Sequence, residues 1–286
     1  MQSATLDRAA RRTYALLAAP LPVNHPAPAP VVLAAVAHPD DIEFMMAGTL
    51  LLLKSAGAVL HFWNLSSGDC GSTTLPREEL IATRHAEAGE SAALAHATLH
   101  PPLFDDFRIF YDEPSLRRVA AVVRAIRPTI ILTHSPEDYM EDHQNTARLV
   151  VTAAFSRASP NFPTEPPQPP WSEPVAIYHA LPHGLHDALR RPVPADFFVN
   201  ISPVLARKHA LLACHRSQQA WLDATQGMSA YLDSMTAMGR EAGARSGCYQ
   251  HAEGWRRHSH LGFAAADFDP LPALLPAQTC PAPQKP

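Results

Sequence analysis

The stretch Ala37-His38-Pro39-Asp40-Asp41-Ile42-Glu43 decides how this chain is read. Before it runs Val31-Val32-Leu33-Ala34-Ala35-Val36, an apolar segment with the length and bounds of a buried strand. After it, Phe44-Met45-Met46-Ala47-Gly48-Thr49-Leu50-Leu51-Leu52-Leu53 predicts a helix ending near Gly57. A histidine and two adjacent aspartates therefore sit where a strand turns into a helix. In open α/β sheets that is where ligands bind. An imidazole and a carboxylate three residues apart, His38 and Asp41, can converge there on one metal ion. Asp40 stays free beside it, and hydrolysis at a metal needs a base close by.

Outward from this point, strands and helices alternate. Ala58–Leu65 predicts a second strand, and the Ser66-Ser67-Gly68-Asp69-Cys70-Gly71 segment a loop. From Pro76 to about Leu99 the chain is rich in Ala, Glu and Leu with Pro at its start, which predicts a long helix. Pro114–Ile126 predicts a helix, Thr129–Thr133 a buried strand, and Asp142 to Arg157 another helix. This alternation implies an α/β fold, a Rossmann-like, doubly wound and mainly parallel sheet with helices on both faces. Val175–Ala180 and Phe197–Ile201 fit later strands, and Pro203 to about Gly239 is expected to be largely helical. The domain reading is an N-terminal extension over 1–30, one domain over 31–265 and a tail over 266–286 that frays at its proline-rich end. Residues 159–174 are crowded with proline and are expected to form a surface insertion.

A second polar cluster follows the 129–133 strand: His134-Ser135-Pro136-Glu137-Asp138-Tyr139-Met140-Glu141-Asp142-His143. In a Rossmann-type order the first and fourth strands are neighbours at the switch point. With 31–36 as the first and 129–133 as the fourth, both clusters reach one crevice. His143 then completes a His38/Asp41/His143 set. Three protein ligands with one open position compose a catalytic zinc site rather than a structural one. An Asp-Asp pair before a helix, standing alone, would read as an N-cap, and a single histidine there as surface. Two such clusters at corresponding strand ends favour a metal.

Composition sets the bounds. At 286 residues and 47% hydrophobic content, the chain can bury a sizeable core. A net charge of −4 gives no electrostatic footprint for nucleic acid. No run approaches the roughly 18–20 apolar residues that span a bilayer. Cys70, Cys214, Cys248 and Cys280 form no CxxC pair and no disulfide framework, so a cytoplasmic location is expected. The segment Arg11–Pro20 has the outline of a signal peptide, but its apolar core is short and prolines interrupt it. A homo-oligomer is left open.

These residues carry a resemblance. AHPDDIE at 37–43 and the Pro136, Asp138, Asp142, His143 element about 100 residues later resemble the PIG-L/LmbE-type zinc-dependent N-deacetylases. Weaker features agree: the Gly68–Gly71 loop, Arg84-x-x-Glu87, Lys208 followed by His215-Arg216-Ser217-Gln218, and Ala252-Glu253-Gly254-Trp255. The likeness spans roughly 30–260. It implies zinc held by His38, Asp41 and His143, with Asp40 as general base. It implies a small-molecule substrate, an N-acetylated amino sugar of the N-acetylglucosamine type, and release of acetate. Arg84 would position substrate or a catalytic side chain, Asp142 would support a ligand from behind, and Glu43 would be a first-turn acid. Iron or manganese suits the same donor set.

One departure stands out. Where many of these enzymes carry a histidine three residues before the zinc histidine, this chain has Met140. Methionine cannot donate the hydrogen bond proposed to steady the oxyanion. His215 is the first candidate to replace it and His134 the second. A nucleotide-dependent dehydrogenase is excluded, because HPDD offers none of the bare glycine amides that cradle phosphate. The alternatives that survive are hydrolysis of another amide and a weakened, sugar-binding relative. The 159–174 and 181–195 loops would select the rest of the substrate.

Overall fold

The computed structural model describes residues 28–226 and 231–283, and nearly all of the N-terminal extension lies outside them. Among the described residues eight strands form one sheet: β1 (Val31–Val36), β2 (Val59–Asn64), β3 (Ala97–His100), β4 (Ile130–Thr133), β5 (Ala176–Ala180), β6 (Phe197–Asn200), β7 (Ala252–Arg257) and β8 (Thr279–Pro281). Their order is β3-β2-β1-β4-β5-β7-β6-β8. The β3-β2-β1-β4-β5 part is parallel, and β7, β6 and β8 extend it with antiparallel pairings. The expected α/β sheet is present, and its first and fourth strands are neighbours.

The helices are α1 (Asp41–Met45), α2 (Ala47–Ser55), α3 (Arg77–Leu94), α4 (Glu113–Ile126), α5 (Glu141–Phe155), α6 (Leu205–Leu212), α7 (Arg216–Gln226), α8 (Tyr231–Ser246) and α9 (Pro270–Leu274). They cover both faces. On β1, Val32, Ala34 and Val36 join a cluster with Leu50 of α2, Leu211 of α6 and Met235 of α8. Leu33 and Ala35 join the opposite cluster with Val119 of α4 and Leu149 of α5. A strand buried on both faces has no polar alternation, which is why β1 and β4 read as unbroken apolar runs.

Two expectations need correction, and two elements had no counterpart in the sequence reading. The helix predicted to reach Leu99 stops at Leu94, because His96 takes a left-handed φ of 53° and Ala97–His100 pairs with β2. Alanine and leucine continue through this turn, so composition alone hides it. The helix predicted across Phe44–Leu53 is two helices broken at Met46, whose φ of −140° is not helical. β7 is unannounced because Glu253 and Gly254 are poor strand formers. Gly254 is required there: an added Cβ would lie 2.6 Å from the Leu181 side chain. In the C-terminal stretch, Leu271 and Leu275 join the core and β8 pairs with β6.

Candidate active site

In β1 and β4, Val32 lies opposite Ile130 and Ala35 opposite Thr133, so both strands end side by side. The 37–43 turn and the 134–143 loop meet at that edge. Asp40 is the N-cap of α1 and holds a left-handed φ of 105°. A non-glycine residue pays of order 1–2 kcal/mol for this conformation, and strained residues of this kind cluster at functional sites.

Asp41 Oδ2 is the hub. It lies 3.4 Å from His38 Nδ1, from His143 Nε2 and from His134 Nε2. It also accepts the His38 backbone N–H at 2.8 Å. His38 turns its other nitrogen, Nε2, to Asp142 Oδ2 at 3.2 Å, so Asp142 aims Nδ1 toward Asp41. Asp142 accepts the Phe107 backbone N–H at the same oxygen, at 2.7 Å. His143 Nδ1 lies 3.0 Å from Asp138 Oδ1, a charge contact off line for a hydrogen bond. His143 Nε2 is buried with no hydrogen-bond partner.

His134 lies flat on His143, with ring centroids 3.9 Å apart and planes 8° from parallel. Its Nε2 accepts the Ala37 backbone N–H at 2.8 Å. That lone pair is therefore spent on backbone, and His134 holds His143 in place by stacking.

Charge follows contact. Burial pulls the His38 imidazole down, but hydrogen bonds to Asp142 and Asp41 and the charges of Asp41 and Asp106 outweigh it and raise its pKa to about 10. Burial works against the Asp41 carboxylate, yet His143 and His134 hold it well below the usual range. Asp40 differs from its neighbour. Burial raises it to about 6, although Arg84 opposes the rise. Tyr231 of α8 donates to Asp40 Oδ2 at 2.5 Å, and Arg84 Nη2 stands 3.9 Å from Oδ1.

Do these residues fit a metal? His38, Asp41 and His143 each offer a ligand atom, all within 4.8 Å of one another. The orphaned His143 Nε2 and the His38 Nδ1 left by Asp142 both face the Asp41 carboxylate. Two imidazoles and one carboxylate are a donor set for a divalent cation. His134, Asp138 and His143 form an overlapping set, but the Ala37 amide already occupies His134 Nε2.

A cavity opens over this cluster and is lined by His38, Asp40, Asp41, His143, Arg84 and Met140, among others. Arg84 is buried, donating to the Pro39 carbonyl at 2.6 Å. The glycine loop exists for it. Gly68 has a φ of +75°, and a Cβ there or on Gly71 would lie 2.7 Å from the guanidinium.

His215 and His134 do not line the cavity. His215 Nε2 lies 3.2 Å from Glu43 Oε2, and both side chains are buried. The expectation that His215 faces the substrate is therefore corrected. It neutralises the acid of the first helix turn, which also accepts from Ser91 Oγ. Other weak motif residues make structural contacts, while Gln218 lines the cavity. Glu87 accepts the Ser217 N–H at 3.0 Å, and Lys208 pairs with Glu253 at 2.6 Å.

Sequence reasoning missed three polar lining residues: Asp106, His183 and Tyr231. Asp106 accepts from Ser66 Oγ and the Gly68 and Cys70 amides, and so shapes the loop. His183 sits in the turn after β5, against Phe44 at 4.8 Å between centroids. Burial lowers its pKa, so the neutral ring keeps an N–H to donate. None of the three lies in a motif, and only the fold brings them to the cavity.

Residues 33–154 match the family model described as "PIG-L: GlcNAc-PI de-N-acetylase". Over these residues the chain is similar to that family. All three candidate metal ligands, Asp40 and Arg84 lie inside this stretch, whereas His183, His215 and Tyr231 lie beyond. A 4-oxalmesaconate hydratase of Pseudomonas putida is 27% identical over 210 residues, covering 68% of this chain and 77% of its own. A probable N-acetyl-alpha-D-glucosaminyl L-malate deacetylase 2 of Bacillus cereus is 25% identical over 72% of this chain and 91% of its own. The structure is similar to N,N'-diacetylchitobiose deacetylase from Pyrococcus horikoshii, with a TM-score of 0.69 and 22% identity, covering 85% of this chain and 89% of that one. The stretch that matches the family model thus sits in an α/β fold similar to that of this solved structure. Among the described residues no helix is long and apolar enough to cross a membrane.

Proposed function

We propose that this chain is a metal-dependent N-deacetylase that hydrolyses the acetamide of an N-acetylglucosamine-type conjugate, with zinc held by His38, Asp41 and His143. The observation that carries the reading is the division between two adjacent aspartates. Asp41 faces three imidazoles, while Asp40 faces Tyr231 and Arg84 across the cavity. One carboxylate is committed to a ligand cluster and the other is left for proton transfer.

When bound, a divalent metal supplies Lewis acidity toward the acyl carbonyl and the attacking water. Asp40 takes a proton from that water as the C–O bond forms. It then returns the proton to the nitrogen as the C–N bond breaks, so the products are acetate and a free amine. Arg84 and Tyr231 hold the Asp40 oxygens in place. Asp142 and Asp138 fix the His38 and His143 rings. With methionine at 140, we assign the developing oxyanion to His183, a neutral ring in the cavity lining.

A hydratase is the second reading, favoured by the 27% identical Pseudomonas putida relative. One experiment separates the two. Metal-loaded protein is incubated with a panel of N-acetylglucosamine conjugates and acetate is measured. Acetate formed by wild type and not by Asp40→Asn supports the deacetylase. No acetate from any conjugate overturns it.

A further inference from the structure

The mouth of the cavity carries aromatic side chains that the reaction above does not use. Phe107 and Tyr139 both line it, yet they are 70% and 48% exposed. Phe107 is the unusual one. Its φ is +62°, in the left-handed region that bulky residues avoid. Packing cannot account for the ring, because most of it faces solvent. Its backbone is nonetheless held in place: the Phe107 N–H donates to Asp142 Oδ2, the atom that also aims His38. One carboxylate therefore orients the His38 ring and holds the Phe107 backbone. Tyr139 is fixed from the same side, its ring edge-on to His143 at 5.9 Å. Phe44 and Met45 carry the apolar lining inward.

Charge points the same way. Among the described lining residues Arg84 is the one Lys or Arg, and its guanidinium is already turned to Pro39 O and Asp40. A phosphate or carboxylate on the substrate would need an unoccupied guanidinium or ammonium to pair with. Asp106 adds a negative group to the lining instead.

We propose that, beside the reacting N-acetyl sugar, the cavity takes an uncharged flat apolar group, an aryl or comparable aglycone, which stacks on Phe107 and Tyr139. This rests on the amino-sugar reading of the same site and narrows it to neutral, aromatic conjugates. Offset and edge-on packing of aromatic rings adds affinity beyond simple burial.

The test is equilibrium binding by calorimetry to metal-loaded protein. The probes are the phenyl, methyl and 1-phosphate conjugates of N-acetyl-α-D-glucosamine, each also assayed for acetate. The phenyl conjugate is expected to bind roughly 5–10-fold more tightly than the methyl one, the scale of one or two aromatic contacts. The 1-phosphate is expected to bind no better than the methyl conjugate. In Phe107→Ala, and in Phe107→Leu should the first fold poorly, the phenyl-to-methyl ratio falls toward one. Equal affinities, tighter binding of the phosphate, a ratio untouched by Phe107→Ala, or binding of none of the three overturns the proposal. If the ladder of affinities holds and no acetate appears, the deacetylase reading fails and the aromatic subsite stands.

Discussion

Two buried ionic clusters lie at the starts of the first two helices, and they are finished differently. At α2, Glu253 accepts the Gly48 and Thr49 backbone N–H groups at 2.8 and 2.7 Å and pairs with Lys208 at 2.6 Å. Both carboxylate oxygens and the ammonium have partners. At α1, three imidazoles face one Asp41 oxygen, and His143 Nε2 has no partner at all. A buried polar atom without a partner costs free energy, so a fold tolerates it where something else completes it. The contrast separates a charge group whose polar atoms are all partnered from one that leaves an imidazole nitrogen unpartnered. The pair of Glu43 in α1 with His215, just before α7, lies between the two: His215 Nε2 is 3.2 Å from Glu43 Oε2, yet neither atom has a hydrogen-bond partner.

Removing the ligands at α1 gives the largest expected effect. Wild-type protein should hold about one zinc per chain, and His38→Ala/His143→Ala should hold none. Elemental analysis of the purified proteins decides this, and full metal content in the double variant would end the metal reading. Asp40→Asn comes next. It should keep metal and fold while kcat falls by roughly 10²–10⁴-fold, the usual loss for an acid/base group. Asp41→Asn should instead loosen metal, and turnover per bound metal tells the two apart.

At α2 the prediction is the reverse: stability changes and chemistry does not. Glu253→Ala leaves Lys208 buried and unpaired, and should cost about 3–5 kcal/mol in denaturant unfolding. Replacing both partners, Lys208→Met with Glu253→Leu, should recover part of that loss. If the single and double variants lose equal stability, the pairing is not what holds the region. The smallest effects sharpen the contrast between histidines. His183→Ala should lower kcat/KM by roughly 10²-fold, the scale of one lost oxyanion donor, with metal retained. His215→Ala should leave kcat/KM per folded molecule near wild type and lower stability by about 1–3 kcal/mol, the penalty for an unsatisfied buried acceptor. Kinetic and unfolding measurements on both variants would show at once if these roles were exchanged.

The comparison also marks how far the sequence reads. The strand–turn–helix at 31–53 is legible because a doubly buried strand must be apolar throughout, and a polar HPDD break at its end has few local explanations. The placing of 129–133 beside it follows from connection rules in parallel sheets. Arg84 was legible as a motif residue, and Gly68 and Gly71 as its loop, though their mutual fit was not. The break at His96 was hidden, since Ala, Thr and Leu suit the turn and the short strand as poorly or as well as the helix.

By itself, then, the sequence determined the α/β class, the meeting of two polar clusters at one sheet edge, and the His38, Asp41 and His143 set. These are local signals: hydrophobic runs, turn residues and spacing along one chain. Tertiary structure alone decided which histidine faces the cavity. His183, Tyr231 and Phe107 reach it from three separate segments, and His215 is drawn away by Glu43. Such choices depend on which buried carboxylate an imidazole meets first across the packed helices, and that distance is written in no single stretch of residues.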